Sequence, residues 1–454
     1  MLKMLEKKNG KHLPKLTSVQ LIVLYYVCAV LFSTLLLSLP IAHKPGVSLS
    51  FIDALFTAVS AISVTGLTVV PTRDTFSVVG YFILMFVMQF GGIGIMTLGT
   101  FIWLIFGKKI GLKERLLIMT DQNQSTISGL VSLMKQILLL IVIIEAIGAL
   151  ILGTYFLKYY PKWQEAFFHG LFLSISATTN AGFDITGTSL MPYAHDYFVQ
   201  FITMILIILG AIGFPVLIEV KHYLTHRGKY PYHFSLFTKI TTVTFFALVV
   251  FVSVSIYLLE WNQVFADKKW HEAFFASLFQ SVTTRSAGLS TIVVGDFSEP
   301  TLLLMSLMMF IGASPSSVGG GIRTTTFAIM CLSIFFYAKG RNTIKVFKRE
   351  IDPIDITKAY IVITTAFMLC GTAVTILSYT EALPLMPIIF EVASAFGTCG
   401  LSMGITSELS AVGKLVIIAL MFIGRIGIFS FLFLIRGPEK EENYHYPKEK
   451  IIIG

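Results

Sequence analysis

Charge is scarce in this chain. Aspartate, glutamate, lysine and arginine make up 13% of the 454 residues, while 55% are hydrophobic. That charge is about half the share of a soluble domain, which excludes an ordinary water-soluble fold. Cysteine is scarce too. Cys28, Cys331, Cys370 and Cys399 have no metal-ligand spacing and suggest no disulfide framework. No glycine-rich nucleotide motif follows a strand pattern and no nucleophile–base arrangement stands out, so nothing supports an enzyme. The net charge of +9 contains no basic patch separable from membrane flanks, which removes a nucleic-acid reading. Leu21–Pro40 is long and lacks a small-residue cleavage site, so it reads as a span rather than a signal peptide.

What is present is apolar length. Eight runs reach spanning length: Leu21–Leu39, Val78–Phe106, Leu130–Leu157, Tyr197–Leu224, Leu236–Leu259, Thr301–Ala338, Tyr360–Tyr379 and Val412–Leu434. Basic residues cluster in Lys3–Lys15, Lys108–Arg115, Lys221–Lys229, Lys339–Arg349 and the tail after Arg436. The intervening connections hold fewer: Lys44, Arg73, Lys158, Lys162, Lys268, Lys269 and Lys414. The positive-inside rule then puts the clusters and both termini in the cytoplasm, with an even number of crossings of the cell membrane.

Between each odd and even span lies a segment too short to cross: Phe51–Ser63, Trp163–Ser176, Trp270–Thr283 and Met386–Gly397. Each runs into a glycine: Gly66 in SVTGL, Gly182 in TNAGF, Gly288 in RSAGL and Gly400 in GTCGL. Phe56, Phe172 and Phe390 precede their glycines by 10 residues and Phe279 by 9, so the third repeat is one residue shorter. WQEAFFHGLF from Trp163 matches WHEAFFASLF from Trp270. Asp53, Glu165 and Glu272 suit the positive end of a helix, and Pro387 suits a first turn. Glu391 lies further in. Stacked helix hairpins would also repeat, but four glycine-centred loops at matched distances are harder to reach that way.

The expected fold is an all-α polytopic membrane protein of four helix–half-helix–loop–helix units around one pseudo-fourfold pore. The divisions are a cytosolic segment 1–16, units at 17–116, 117–232, 233–350 and 351–436, and a cytosolic tail 437–454. Non-helical backbone at membrane depth survives only when buried or lining water. Carbonyl oxygens there can replace the hydration shell of a cation, and glycine permits the backbone they need. The candidate selectivity filter is therefore Val64, Thr65 and Gly66; Asn180, Ala181 and Gly182; Ser286, Ala287 and Gly288; and Thr398, Cys399 and Gly400. Side chains differ between the triplets while glycine recurs, as main-chain chemistry requires.

A second glycine-rich break follows each loop: GGIG, GAIG, GASPSSVGGG and GRIG. Gly92, Ala211, Ala313 and Arg425 are equivalent there, 26, 29, 25 and 25 residues past the four glycines. Arg425 interrupts an apolar run at a cost of roughly 2.5–3.5 kcal/mol on insertion scales. It reads as a positive barrier below the filter or a hydrogen-bonding partner of the gate; a structural ion pair or snorkelling is the plainer alternative. Gly312, Ala313, Ser314, Pro315, Ser316, Ser317, Val318, Gly319, Gly320 and Gly321 cannot continue a stable helix and read as a mobile gate, against the alternative of a static kink. Arg323 has Glu219, Glu145 or backbone carbonyls as partners. Asp184 divides evenly between drawing cations to the outer mouth and a solvated loop role. Arg285 reads as bracing the third loop, Glu145 and Glu219 as buried hydrogen-bonded groups, and His169 and His271 as packing residues.

These motifs together resemble the Trk/Ktr/HKT superfamily of potassium transporters, most closely the bacterial Ktr-type membrane subunit. The resemblance runs from about Leu16 to Arg436. It rests on IDALFTAVSAISVTGLTVV, FGGIGIMTLG, GKKIGLKER, SATTNAGFD, TTRSAGLST, GASPSSVGGGIRTTT, SAFGTCGLSMGIT and GRIG. It implies K+ as the transported ion at filter carbonyls, a gate at residues 312–321, a pore arginine at Arg425, and stimulation by Na+ as in some relatives. Glycine rather than serine at position 66 implies preference for K+. It further implies a homodimer on a cytosolic ring of nucleotide-binding (RCK-type) regulatory subunits, with the nucleotide held by the partner, and no cofactor on this chain. Lys108–Arg115 and Arg341–Arg349 are candidate docking segments or ordinary positive flanks. The rivals are a secondary transporter with discontinuous helices and side-chain ligands, and a non-transporting scaffold, which leaves four costly polar loops unexplained.

Overall fold

In lipid every backbone polar group must be satisfied internally, so apolar runs become helices. The computed structural model describes residues 17–94, 110–111, 115–117, 119, 129–226, 232–435, 444, 446–447, 449 and 451–452. Lys3–Lys15, most of Lys108–Arg115, the end of Lys221–Lys229, the second half of Val78–Phe106 and most of the tail lie outside the described residues.

One order of elements recurs four times. The first unit is α1 (Ser18–Leu37), α2 (Phe51–Ser63) and α3 (Val78–Ile93). The second is α4 (Leu130–Phe156), α5 (Trp163–Thr178), α6 (Tyr197–Ala211) and α7 (Phe214–Thr225). The third is α8 (Leu236–Glu260), α9 (Trp270–Thr283), α10 (Glu299–Phe310) and α11 (Thr324–Ala338), followed by a hairpin of β1 (Lys345–Val346) and β2 (Arg349–Glu350). The fourth is α12 (Pro353–Thr380), α13 (Leu385–Gly397), α14 (Ala411–Ile426) and α15 (Ile428–Ile435). The outer helices α1, α4, α8 and α12 have 20, 27, 25 and 28 residues and are long enough to cross a bilayer. The short helices α2, α5, α9 and α13 have 13, 16, 14 and 13 residues. At about 20–24 Å they fall short of the apolar core.

The units close on themselves. Each short helix packs on the outer helix of its own unit: α2 on α1, α5 on α4, α9 on α8 and α13 on α12. Each also packs on the inner helix of the preceding unit: α5 on α3, α9 on α6, α13 on α10, and α2 on α14. The last pairing joins the first unit to the fourth and makes the order cyclic. Phe56, Phe172, Phe279 and Phe390, which set the repeat spacing, are all buried.

A tie from the start of the inner helix to the end of the outer helix, or to the turn that follows it, also recurs with different chemistry. The Ser77 N–H donates to the Ala42 carbonyl at 2.9 Å. Asp196 caps α6 and accepts from the Tyr155 and Tyr159 hydroxyls at 2.9 and 2.5 Å. Those hydrogen bonds hold its carboxyl below the usual range although burial pulls the other way. Glu260 accepts the Ser298 N–H and hydroxyl at 3.0 and 2.5 Å, and Glu381 accepts those of Ser410 at 3.0 and 2.6 Å.

The spans Tyr197–Leu224 and Val412–Leu434 each divide at the glycine-rich break expected there. Helices α6 and α7, and α14 and α15, meet at bends of 104°. The break residues Gly213 (φ 102, ψ 132) and Gly427 (φ 84, ψ 149) adopt backbone that side chains oppose. Gly94 (φ 94, ψ 136) ends α3 in the same conformation. The expected division of Thr301–Ala338 into two half-helices is present, with residues 311–323 non-helical between α10 and α11.

Candidate functional site

The four short helices end at the four triplets by a shared local device. The first residue of each turns left-handed: Val64 (φ 60), Asn180 (φ 53) and Thr398 (φ 49), with Ser286 at φ 147. The second folds back onto its helix. The Thr65, Ala181 and Cys399 N–H groups donate to the Ser60, Ser176 and Ser394 carbonyls at 2.8, 2.8 and 2.9 Å. Ala287 donates to Thr283 at 2.9 Å, one residue nearer, which is how the shorter third unit keeps register. The third residue is the glycine, at φ 91, 70, 70 and 92 for Gly66, Gly182, Gly288 and Gly400. Helix residues then fasten the strands from behind. The Ser60 and Ser394 hydroxyls accept from the Gly66 and Gly400 N–H groups at 3.1 and 3.0 Å. The Ser176 and Thr283 hydroxyls donate to the Phe183 and Leu289 carbonyls at 2.6 and 2.5 Å.

The triplets are neighbours in a closed ring. A β-carbon built on Gly66 would lie 2.5 Å from the Ala181 carbonyl oxygen and 2.9 Å from the Gly182 α-carbon. On Gly182 it would lie 2.8 Å from the Ala287 oxygen, and on Gly288 2.5 Å from the Cys399 oxygen. On Gly400 it would collide with the Thr65 oxygen and lie 3.1 Å from the Gly66 α-carbon. The sequence of contacts is 66 to 182 to 288 to 400 to 66. Each glycine therefore abuts the middle carbonyl of the next triplet, and no ring position tolerates a side chain. Val64, Thr65, Asn180, Ala181, Ser286, Ala287, Thr398 and Cys399 are wholly buried, and none carries a formal charge.

Residues 312–321 lie beside this ring, touch the second, third and fourth units, and reach the first through Arg425. The Gly320 N–H donates to the Thr398 hydroxyl at 2.7 Å, and Gly319 abuts the Ser286 hydroxyl. The Ser314 and Val318 N–H groups donate to the Ala211 and Gly210 carbonyls at 3.1 and 3.3 Å. Gly321 donates to Gly424 at 3.2 Å, while Ser316 accepts from the Phe214 N–H at 2.9 Å. Arg425 completes the set by donating to the carbonyls of Val318 and Gly91, with Gly92 at 3.5 Å. Of the four equivalent break positions, Ala211, Arg425 and Gly92 are thus joined through this segment. A cavity of about 240 Å³ lies against it, lined by Gly92, Ser316, Gly321, Arg323, Arg425 and Ser430 among others.

Arg323 takes a backbone partner, the Gly319 carbonyl. Glu145 accepts from the Gln89 amide, and Glu219 accepts the Ser235 N–H at 3.1 Å. Asp184 accepts from Thr186, Gly187 and Ser189 at 2.8, 2.7 and 3.0 Å, so this oxygen organises its own loop. His169 and His271 stand against Tyr160 and Tyr197 at 3.3 and 2.7 Å. Arg285 differs from expectation: it braces the start of the 312–321 segment, donating to the Ile311 and Gly312 carbonyls at 3.0 and 2.8 Å. Sequence reasoning missed the Asp53–Lys414 ion pair at 2.7 Å, because nothing local marks residues so far apart as neighbours.

Residues 6–445 match the family model of TrkH, described as a cation transport protein. The chain is 63% identical over 447 residues to Ktr system potassium uptake protein D of Bacillus subtilis (strain 168), covering 98% of this chain and 99% of that one. It is 39% identical to Ktr system potassium uptake protein B of the same organism, covering 97% of each. It is 35% identical to the potassium/sodium uptake protein NtpJ of Enterococcus hirae, covering 97% of this chain and 98% of that one. The crystal structure of the potassium transporter TrkH from Vibrio parahaemolyticus shares the fold with a TM-score of 0.71 at 21% identity, covering 94% of this chain and 87% of that one.

Proposed function

The chain belongs to the TrkH family of cation transport proteins, which are not enzymes, and from that premise we propose that it is the pore-forming membrane subunit of a potassium uptake system. The closed ring of Gly66, Gly182, Gly288 and Gly400 carries this reading. A ring of main-chain oxygens replaces the water shell that K+ gives up on entering lipid depth. Four short helices end at the ring, and their C-terminal partial negative charges favour a cation without placing a carboxylate in its path. Val64–Gly66, Asn180–Gly182, Ser286–Gly288 and Thr398–Gly400 form the filter in this proposal.

Residues 312–321 act as the gate and Arg425 as its latch, since the segment is tied to the second, third and fourth units and Arg425 spans from Val318 to Gly91 of the first. The gate is driven from outside the chain, by a cytosolic ring of nucleotide-binding subunits beneath a homodimer, with both termini on the cytoplasmic side. The names of the Ktr relatives, each one protein of a system, support a partnered assembly. The name of the Enterococcus hirae relative, a potassium/sodium uptake protein, supports a role for Na+.

The test is expression in cells lacking their own potassium uptake, with and without a regulatory subunit, scored by growth at low K+ and by Rb+ uptake. Restored uptake that rises with the regulatory subunit is expected. A correctly inserted chain that leaves uptake unchanged in both cases refutes the proposal.

A further inference from the structure

The third unit breaks the repeat at one place, and Arg285 fills it. In the other three units an inner-helix glycine rests on a carbonyl of its own short helix: Gly91 on Ile62, Gly210 on Thr178 and Gly424 on Phe396. Each of those carbonyls lies four residues before its ring glycine. The helices concerned pack directly, α2 on α3, α5 on α6 and α13 on α14. In the third unit Gly312 rests instead on Gly320, and packing of α9 on α10 is at most marginal. The link there is made by a side chain. Arg285 is wholly buried, and its two Nη atoms donate to the Ile311 and Gly312 carbonyls where α10 gives way to the candidate gate.

The setting is unusual for an arginine. The guanidinium lies 5.3 Å from the centre of the Phe245 ring, and Nε has no hydrogen-bond partner. Among the described residues no carboxylate pairs with it. A buried cation without a counter-ion is costly, and glycine packing makes the same connection in three units without one. The position has one property that glycine packing lacks. Arg285 directly precedes Ser286, the first residue of the third triplet. Its fork therefore joins that triplet to the hinge of the candidate gate in one rigid step. The far end of the gate returns to the ring through Gly319 on Ser286 and Gly320 on the Thr398 hydroxyl. The ring and the gate thus share both ends of one short circuit.

We propose that Arg285 couples the ring to residues 312–321, so that cation occupancy of the third and fourth triplets sets the position of the gate. The inference rests on the filter and gate reading above and deepens it. Arg285 is a positioning residue that does not touch the ion.

The test uses the full chain with its regulatory subunits, Cys28 and Cys331 changed to serine, and Ser316→Cys as a reporter on the cavity. Labelling by a methanethiosulfonate reagent from the cytosolic side is measured in K+ and in N-methyl-D-glucamine, alongside Rb+ uptake. In the parent, K+ is expected to change the labelling rate by about fivefold, a modest coupling. In Arg285→Gln that dependence should vanish, and in Arg285→Lys it should shrink. Phe245→Leu, which only loosens the seat of the guanidinium, should show a partial loss and keeps the test open if Arg285→Gln does not fold. K+ dependence undiminished in a folded Arg285→Gln or Phe245→Leu protein overturns the coupling and leaves the transport reading intact. A parent that takes up Rb+ but labels identically in both media also overturns it. A parent that takes up no Rb+ removes the transport reading, and the coupling with it.

Discussion

Asp53 and Lys414 stand 361 residues apart in the chain and form an ion pair at 2.7 Å. One lies in the first turn of α2 and the other in the first turn of α14. They therefore clasp the seam where the first unit meets the fourth and the cyclic order closes.

Lys414→Met should open this seam. Both side chains are largely buried, at 15% and 19% exposure. The expected cost lies between that of an exposed pair and a buried one, about 1–3 kcal/mol. Thermal unfolding in detergent should show it, and a double-mutant cycle with Asp53→Asn should return a coupling of similar size. Additive effects would mean that the seam is held by packing alone.

Ring glycines should not accept a side chain without altering ion choice. A β-carbon on Gly66 or Gly288 would lie 2.5 Å from the next carbonyl oxygen. Gly66→Ser and Gly288→Ser should therefore widen or tilt the ring and lower preference for K+ over Na+ by about tenfold, some 1.4 kcal/mol of discrimination. Rb+ uptake in competition with Na+ checks this, and unchanged competition would detach selectivity from the ring.

Freeing the 312–321 segment should raise flux. Arg425→Gln removes the charged donors to Val318 and Gly91, and hydrogen bonds to charged groups are worth about 1.5–3 kcal/mol each. Basal Rb+ uptake without the regulatory subunit is expected to rise by about tenfold or more. Deleting residues 312–321 should raise it further. Ordinary flux in a folded deletion protein would reduce the segment to a kink.

Acid should loosen the start of α14. Burial works to raise the Glu381 carboxyl, but hydrogen bonds from the Ser410 hydroxyl and N–H outweigh it and leave the pKa below the usual 4.5. A depressed folded pKa means that the stabilisation is complete above the ordinary value and is lost as pH falls through the lowered one. Thermal stability of the parent should thus fall towards that of Glu381→Gln as pH drops below about 4.5, the ordinary value. A constant gap between the two proteins across that range would rule Glu381 out as the titrating tie.

The short helices were legible because local chemistry bounds them. Phe51–Ser63 and Trp270–Thr283 match residue for residue, each with a carboxylate in its first turn and a ring glycine just beyond its end. Arg425, Gly312–Gly321 and the glycine ring were also visible, because each is costly in an apolar chain. Other features depend on distance in sequence or on geometry that composition does not encode. The target of Arg285 and the Asp53–Lys414 clasp need the cyclic order of units. GAIG and GRIG mark where α6 and α14 end, but the 104° size of each bend turns on the backbone of Gly213 and Gly427. Helix α12 starts at Pro353, ahead of its apolar stretch, because the Asp352 side chain caps the Ile354 N–H at 2.9 Å. The hairpin β1–β2 turns at Phe347 (φ 50) and Lys348 (φ 63), where Asn-Gly would be the usual signal.

Anomalous scattering from Tl+, a heavy mimic of K+, soaked into crystals of the purified protein tests the central claim most directly. Density on the axis between the carbonyls of Thr65, Ala181, Ala287 and Cys399, and its loss in Gly66→Ser, is the predicted result. Density held instead by side-chain carboxylates away from those four strands, with the ring empty, would contradict it.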